Sequence, residues 1–139
     1  MTTIYTPEDV YYFAEDGNVD ELIIALNQGD NSTNWYRGED GDTALRMAAY
    51  NGHMNCVEML LNRGIDINSK NNKGYTSLHW AAQKGHINIV EILLNRGIDI
   101  NSEDIDSYAP VENEDVDEDG NIIEHTDCRP MIFAEVEHR

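Results

Sequence analysis

The acidic segment DVDEDGNIIEHT (115–126) has residue types and a spacing that suit a metal ion. Asp115, Asp117 and Asp119 stand at alternate positions and Gly120 follows, which is the order D-x-[DN]-x-[DN]-G that opens a calcium-binding loop. Carboxylate oxygens at this spacing can converge on one hard cation. The sequence therefore predicts a candidate calcium site at these three aspartates, with calcium as the one cofactor to consider.

The rest of this loop departs from the EF-hand pattern. Its twelfth position should be a glutamate that binds with both oxygens, and it is Thr126. The flanking sequences SYAPVENE and DCRP do not read as helical arms. An incomplete ligand set gives weak affinity, and an acidic, solvated loop tip is the alternative interpretation.

The histidines and cysteines do not form a pattern typical of a zinc site or a catalytic centre. His53 and His86 recur 33 positions apart. Packed helices lie about 8–10 Å apart while zinc needs nitrogens at about 2.0–2.1 Å, so we expect both to be structural. Cys56 is expected in the core, and Cys128 has no base beside it to activate a thiolate. Without a nucleophile–base pair or a phosphate-binding glycine loop, we predict that the protein is not an enzyme.

The composition predicts a folded chain with a strongly acidic surface. Of 139 residues, 40% are hydrophobic and 26% charged, and the formal net charge is −18. Residues 99–137 hold fourteen of the 27 acids and one base, Arg129. Such a surface repels nucleic acid and anionic membranes, whereas it attracts a partner with a basic face. No stretch approaches the roughly 18 apolar residues of a membrane span, and MTTIYTPEDVYYF lacks the pattern of a secretory signal, so we expect a cytoplasmic protein.

An internal repeat explains most of the hydrophobic pattern. LLNRGIDINS occurs at 60–69 and again at 93–102, and the surrounding segments 41–68 and 74–101 align at the same offset of 33. In each segment a threonine that can cap a helix precedes a short alanine-containing helix. A glycine then breaks the chain before a second helix with apolar residues at helical spacing. An arginine and a glycine follow, and the glycine can take a left-handed cap.

A helix pair that repeats every 33 residues resembles the ankyrin repeat. The family's T-P-L-H-x-A signature appears as TSLHWA (76–81) and, more degenerate, as TALRMA (43–48), where Arg46 replaces the histidine and leaves the polar network incomplete. The resemblance implies an all-α solenoid of stacked helix-turn-helix units joined by hairpin turns. We expect one domain, 1–139, divided into repeat 1 (6–40), repeat 2 (41–73), repeat 3 (74–106), an acidic insertion (107–128) and a partial repeat 4 (129–139).

The same resemblance implies a concave face, formed by the first helices and the turns, that usually binds another protein. Carried over position by position, this face includes the candidate partner-binding residues Tyr12, Met47, Tyr50, Trp80, Gln83, Lys84 and Phe133. Trp35 and Tyr36 in the lengthened first turn form a second aromatic pair. Large aromatics on an exposed face are typical of interface anchors, although padding of the stack is an alternative.

Two hairpin asparagines, Asn68 and Asn101, resemble ankyrin asparagines that an oxygen-sensing dioxygenase hydroxylates. The alternative is that they only brace the turn. The sequence as a whole predicts a monomeric, non-enzymatic module, an adaptor or inhibitor, that binds a basic-faced protein through the concave face and the acidic insertion. A calcium-responsive binding module that uses 115–126 is the competing hypothesis.

Overall fold

Seven α-helices, one 3-10 helix and a two-residue β-ladder make up the regular structure in the described part of the chain. The computed structural model describes residues 3–28, 36–38, 40–100, 102–110, 116–121 and 126–138, with the backbone alone at 36, 37, 102–104 and 138. The elements are α1 (Pro7–Asp16), α2 (Val19–Leu26), β1 (Tyr36–Arg37), β2 (Asp42–Thr43), α3 (Ala44–Tyr50), α4 (Met54–Asn62), α5 (Ser77–Gln83), α6 (Ile87–Asn95), the 3-10 helix η1 (Ser102–Tyr108) and α7 (Arg129–His138).

The residues at the two ends of α1 explain where this helix begins and ends. The Thr6 hydroxyl accepts a hydrogen bond from the Asp9 backbone N–H, and the Asp9 carboxylate accepts one from the Thr6 backbone N–H. Pro7 occupies the first turn, where its missing N–H costs nothing. Gly17 ends the helix in the left-handed conformation, with φ of 77°.

The helices form two layers that run the length of the stack. The first helices α1, α3 and α5 pack side by side, and the second helices α2, α4 and α6 form the other layer. Paired alanines, Ala48–Ala49 and Ala81–Ala82, are fully buried between first helices, where only a small side chain permits close approach. The expected all-α repeat architecture is confirmed, and its hairpin turn appears as the antiparallel pairing of Tyr36 with Thr43 and Arg37 with Asp42.

In repeats 2 and 3, a histidine ring packs against a glycine of the preceding repeat. A Cβ placed on Gly17 would lie 2.5 Å from the His53 ring, and one placed on Gly52 would lie 2.8 Å from the His86 ring. His86 Nε2 also donates to the Tyr50 carbonyl at 3.0 Å. These histidines therefore act as inter-repeat contacts, which agrees with the structural role expected for them.

The last helix, α7, lies where the start of a fourth repeat is predicted. The helix is present, but α7 packs chiefly against η1, and η1 packs against α5. In α7, Ile132 is fully buried and Ala134 is exposed. That α7 begins a fourth repeat stays a prediction.

Candidate functional site

A partly exposed aromatic cluster lies where α3 and α5 meet, and we call Tyr50, Trp80 and Lys84 the Tyr50–Trp80 patch. The two rings pack edge to face, with centroids 5.4 Å apart and planes at 87°. The Lys84 ammonium lies 4.9 Å from the centre of the Tyr50 ring, a cation–π contact. Sequence analysis named all three residues, and the structure brings them together. Met47 lies on the same helix as Tyr50 and is half-buried.

The aromatic cluster continues from the patch toward the end of the stack. Tyr75 packs edge-on against Trp80 at 5.3 Å and stacks on His79 at 5.0 Å. His79 in turn stacks on Tyr108 of η1 at 4.5 Å. The patch is therefore the exposed end of a packed row of rings, which limits the freedom of its members before any partner binds.

A buried carboxylate fixes the indole of Trp80 from the preceding repeat. Asp42 is 8% exposed, and its Oδ1 accepts three hydrogen bonds. The donors are Arg46 Nε at 2.9 Å, Asn71 Nδ2 at 3.1 Å and Trp80 Nε1 at 3.1 Å. The sequence did not indicate a role for Asp42, because this residue belongs to no motif. The available signal was its alignment with Tyr75 of the next repeat, which puts an acid where the other repeat has an aromatic residue.

Arg46 forms a buried polar network of its own, although the cap network of repeat 2 is incomplete, as the loss of the motif histidine predicts. Its guanidinium is 1% exposed and also donates to the Ser69 carbonyl and hydroxyl, each at 2.8 Å, and to the Gly41 carbonyl at 2.7 Å. Burial lowers the pKa of Arg46, and the hydrogen bond to Asp42 opposes that shift. The incomplete part is at Thr43, whose buried hydroxyl has no partner within the described residues. The equivalent Thr76 hydroxyl contacts His79 Nδ1 at 3.1 Å.

The repeats also match a known family. A family pattern for ankyrin repeats in three copies covers residues 10–104. The chain belongs to the ankyrin-repeat family. The layers of helices and the hairpin turn described above are the parts of that fold which position the Tyr50–Trp80 patch.

Segments of much longer ankyrin-repeat relatives align with this chain. Cortactin-binding protein 2 of Oryctolagus cuniculus is 46% identical over 56 residues, which are 40% of this chain and 3% of that protein. The same protein of Ornithorhynchus anatinus is 39% identical over 61 residues, 44% of this chain and 4% of that protein. Serine/threonine-protein kinase TNNI3K of Mus musculus is 41% identical over 51 residues, 37% of this chain and 6% of that protein. The matched segments are thus a small fraction of each relative.

Gln83 differs from the sequence prediction for this ankyrin surface. It is only 8% exposed, and its amide donates to the Ser107 carbonyl at 2.8 Å. Because η1 covers it, Gln83 braces the end of the stack and does not belong to an open groove. Sequence reasoning missed this because η1 has no counterpart in the preceding repeats.

The other predicted partner-binding residues lie outside the patch. Tyr12 is half-buried on α1 and packs edge-on against Tyr11 at 5.4 Å. Phe133 is 42% exposed on α7, whose main contact is with η1. Trp35 lies outside the described residues, as does the side chain of Tyr36. Their part in binding stays a prediction.

Charge is distributed unevenly along this ankyrin stack. Residues 40–100 contain six carboxylates and six lysines or arginines, so this stretch has no net charge. Residues 3–28 contain six carboxylates and no lysine or arginine. Residues 101–139 contain thirteen carboxylates and two arginines. The Tyr50–Trp80 patch therefore sits at a neutral centre between two acidic ends.

The described part of the candidate calcium loop is exposed and organised by its own backbone. Asp117 Oδ1 accepts from the N–H groups of Asp119 and Asn121, each at 2.9 Å, and the Asn121 bond is the main cause that lowers the pKa of Asp117. Asp119 is exposed, and Asp115 lies outside the described residues. Among the residues that the structure does describe, no three metal-ligating side chains converge. Calcium binding stays a prediction, which a calcium titration followed by tryptophan fluorescence would test.

Asn68 braces two neighbouring turns of the ankyrin stack. Its side-chain oxygen accepts from the Asp99 backbone N–H at 2.7 Å, and its own N–H donates to Asp66 Oδ1 at 3.0 Å. The structural alternative thus has direct support at Asn68, and hydroxylation stays a prediction. Asn101 lies outside the described residues.

No helix in the described part of the chain has the length and apolarity needed to cross a bilayer.

Proposed function

We propose that this chain is a non-enzymatic adaptor or inhibitor that binds a basic-faced protein through the Tyr50–Trp80 patch. Ankyrin repeats are protein–protein interaction modules, and the family supplies the coarse part of this statement. The observation that carries the finer part is the packed pair of partly exposed aromatics on a neutral stretch of the stack. Tyrosine and tryptophan supply large contact areas at little cost in side-chain entropy, and they dominate binding at interfaces.

The acidic ends give the proposed partner its expected charge. Along the sequence, the neutral stretch 40–100 lies between 3–28 and 101–139, which are both rich in carboxylates, so we expect a partner of the patch to have a basic face. Complementary charge raises the association rate more than it strengthens the final complex. We therefore expect salt to slow association steeply, because the Debye length falls from about 10 Å at 0.1 M to about 3 Å at 1 M.

The relatives suggest no activity that extends directly to this chain. One is named for binding cortactin and another for protein kinase activity, but the aligned segments make up 3% and 6% of those proteins. We do not transfer either property, and propose instead that this chain acts by binding alone. We further propose a cytoplasmic monomer, which the two buried, unpaired cysteines support because free thiols suit a reducing compartment.

Affinity capture from a lysate of the source organism tests this function. The bait proteins are the wild type, a Tyr50→Ala/Trp80→Ala variant and a control variant, Met54→Ala/Ile87→Ala. The control removes two apolar residues that are 37% and 42% exposed and that lie at the starts of the second helices α4 and α6. All three must show equal helicity by circular dichroism.

The proposal expects one protein to be retained by the wild type and the control but not by the patch variant. Retention by all three would contradict it, because binding would then not need the patch. Retention lost equally in both variants would also contradict it, because the loss would not be specific to the aromatics.

A further inference from the structure

We infer that Asp42 is the positioning residue of the partner-binding surface: it fixes the Trp80 indole in the orientation that the patch presents. This inference rests on the proposed function, since it assigns a task within the same surface. Asp42 belongs to repeat 2 and Trp80 to repeat 3, so the bond between them crosses the repeat boundary. It lies 38 positions away in sequence from the residue it orients.

The geometry of Asp42 suits this task because the carboxylate is itself immobilised. Arg46 donates to it from one turn further along the chain, and the same guanidinium is anchored on the Ser69 and Gly41 carbonyls. Asn71 donates to it from the next hairpin turn. An ionised acceptor held by two further donors forms a stronger and more directional bond with an indole N–H than water does.

The bond also determines which part of Trp80 a partner can contact. The N–H is occupied inside the stack, and the ring packs between Tyr50 and Tyr75 at 5.4 Å and 5.3 Å. A partner would therefore contact the ring of Trp80 and would not form a hydrogen bond with its indole nitrogen. Loss of Asp42 would free the N–H and release the ring from a single orientation.

The test follows the indole N–H of Trp80 by NMR in the protein alone. A Trp35→Phe background leaves Trp80 as the single tryptophan. We compare Asp42→Asn and Asp42→Leu with Asp40→Asn and Asp40→Leu. Asp40 is a matched control because it lies in the same turn, its side chain is 52% exposed, and its ion pair with Lys73 has nothing to do with the patch.

The inference expects slow exchange of the indole proton with water in the parent protein. Exchange should be at least about tenfold faster in Asp42→Leu. It should stay almost as slow as in the parent protein in Asp42→Asn, because an amide oxygen still accepts, and it should be unchanged in both Asp40 variants. An indole signal that does not respond to Asp42→Leu would overturn the inference.

A second measurement guards against a variant that merely unfolds repeat 2. The effect of Asp42→Leu on the unfolding equilibrium constant is measured with Trp80 and with Trp80→Phe, which keeps an aromatic ring but has no N–H. The inference expects the effect to shrink several-fold in the phenylalanine background, and equal effects in both backgrounds would overturn it.

Binding of the protein retained by the wild-type chain then separates this inference from the proposed function. A response of the indole signal together with weaker binding by Asp42→Leu supports the positioning role. If Trp80→Ala abolishes binding but Asp42→Leu does not change the exchange of the Trp80 indole proton, the patch is the binding surface and Asp42 does not position Trp80. If the indole responds but binding does not change in either Asp42→Leu or Trp80→Ala, the assignment of Asp42 to a binding surface falls with the proposed function.

Discussion

Gly52 offers a sharp test of how one repeat is fastened to the next. It has φ of 79°, and an added Cβ would lie 2.8 Å from the His86 ring, which is closer than real side chains approach. Gly64 has φ of 81° with nothing within 4 Å of an added Cβ, so it shares the conformational penalty without the clash. An alanine in the left-handed region costs about 1 kcal/mol at either site.

The difference between the two sites measures the histidine contact. In Gly52→Ala the His86 ring must move and lose its hydrogen bond to the Tyr50 carbonyl, which adds about 1 kcal/mol plus lost packing. We expect Gly52→Ala to lower the free energy of unfolding by about 2–3 kcal/mol and Gly64→Ala by about 1 kcal/mol. Urea unfolding followed by circular dichroism at 222 nm measures both values.

The double variant Gly52→Ala/His86→Ala completes this experiment. In a protein that already carries His86→Ala, Gly52→Ala should lower the free energy of unfolding only as much as Gly64→Ala lowers it in the wild type. Equal costs for the two single glycine variants, or no relief in the double variant, would refute the reasoning.

The remaining predictions concern the core, the thiols and pH. Leu78→Ala empties a fully buried position and should lower the free energy of unfolding by about 3 kcal/mol, while Ile24→Ala, at a side chain 47% exposed, should cost less than about 1 kcal/mol in the same urea assay. Burial raises the pKa of the Cys56 thiol, so a disulfide reagent at pH 8 should label it only after denaturant is added; rapid labelling of the folded protein would contradict this. The side-chain hydrogen bond from Arg129 is the main cause that lowers the pKa of Asp127, so its carboxyl carbon should titrate below the usual value of about 3.9 in NMR spectra. In Arg129→Gln this pKa should rise toward the usual value but stay below it, because the backbone N–H of residue 129 still donates to the carboxylate. The stability from this pair is present above the unfolded-state pKa and is lost as pH falls through the folded-state pKa.

The repeated part of the fold can be predicted from sequence because its signals are local and occur twice. The cap position at Thr43 and Thr76, the breaks at Gly52 and Gly85 and the apolar second helices all depend on neighbours within a few residues. Aligning two copies separates these signals from chance. The patch residues followed from carrying the family's concave face over onto this sequence, where Tyr50 aligns with Gln83 and Trp80 aligns with Met47.

What the sequence could not predict depends on contacts between distant residues without a repeat counterpart. Asp42 receives hydrogen bonds from Asn71 and Trp80, 29 and 38 positions away, and no local pattern encodes that convergence. The burial of Gln83 depends on η1, which begins at the end of repeat 3 and has no counterpart in the earlier repeats.

The central claim is that the Tyr50–Trp80 patch binds the partner, and the dissociation constant of the captured protein tests it most directly. Isothermal titration calorimetry would compare the wild type with Tyr50→Ala/Trp80→Ala and with the Met54→Ala/Ile87→Ala control. We predict that the patch variant binds at least about thirtyfold more weakly, which corresponds to the roughly 2 kcal/mol of a single hot-spot residue, while the control stays within about twofold. A patch variant that is as helical as the wild type and binds with the same constant would contradict the claim.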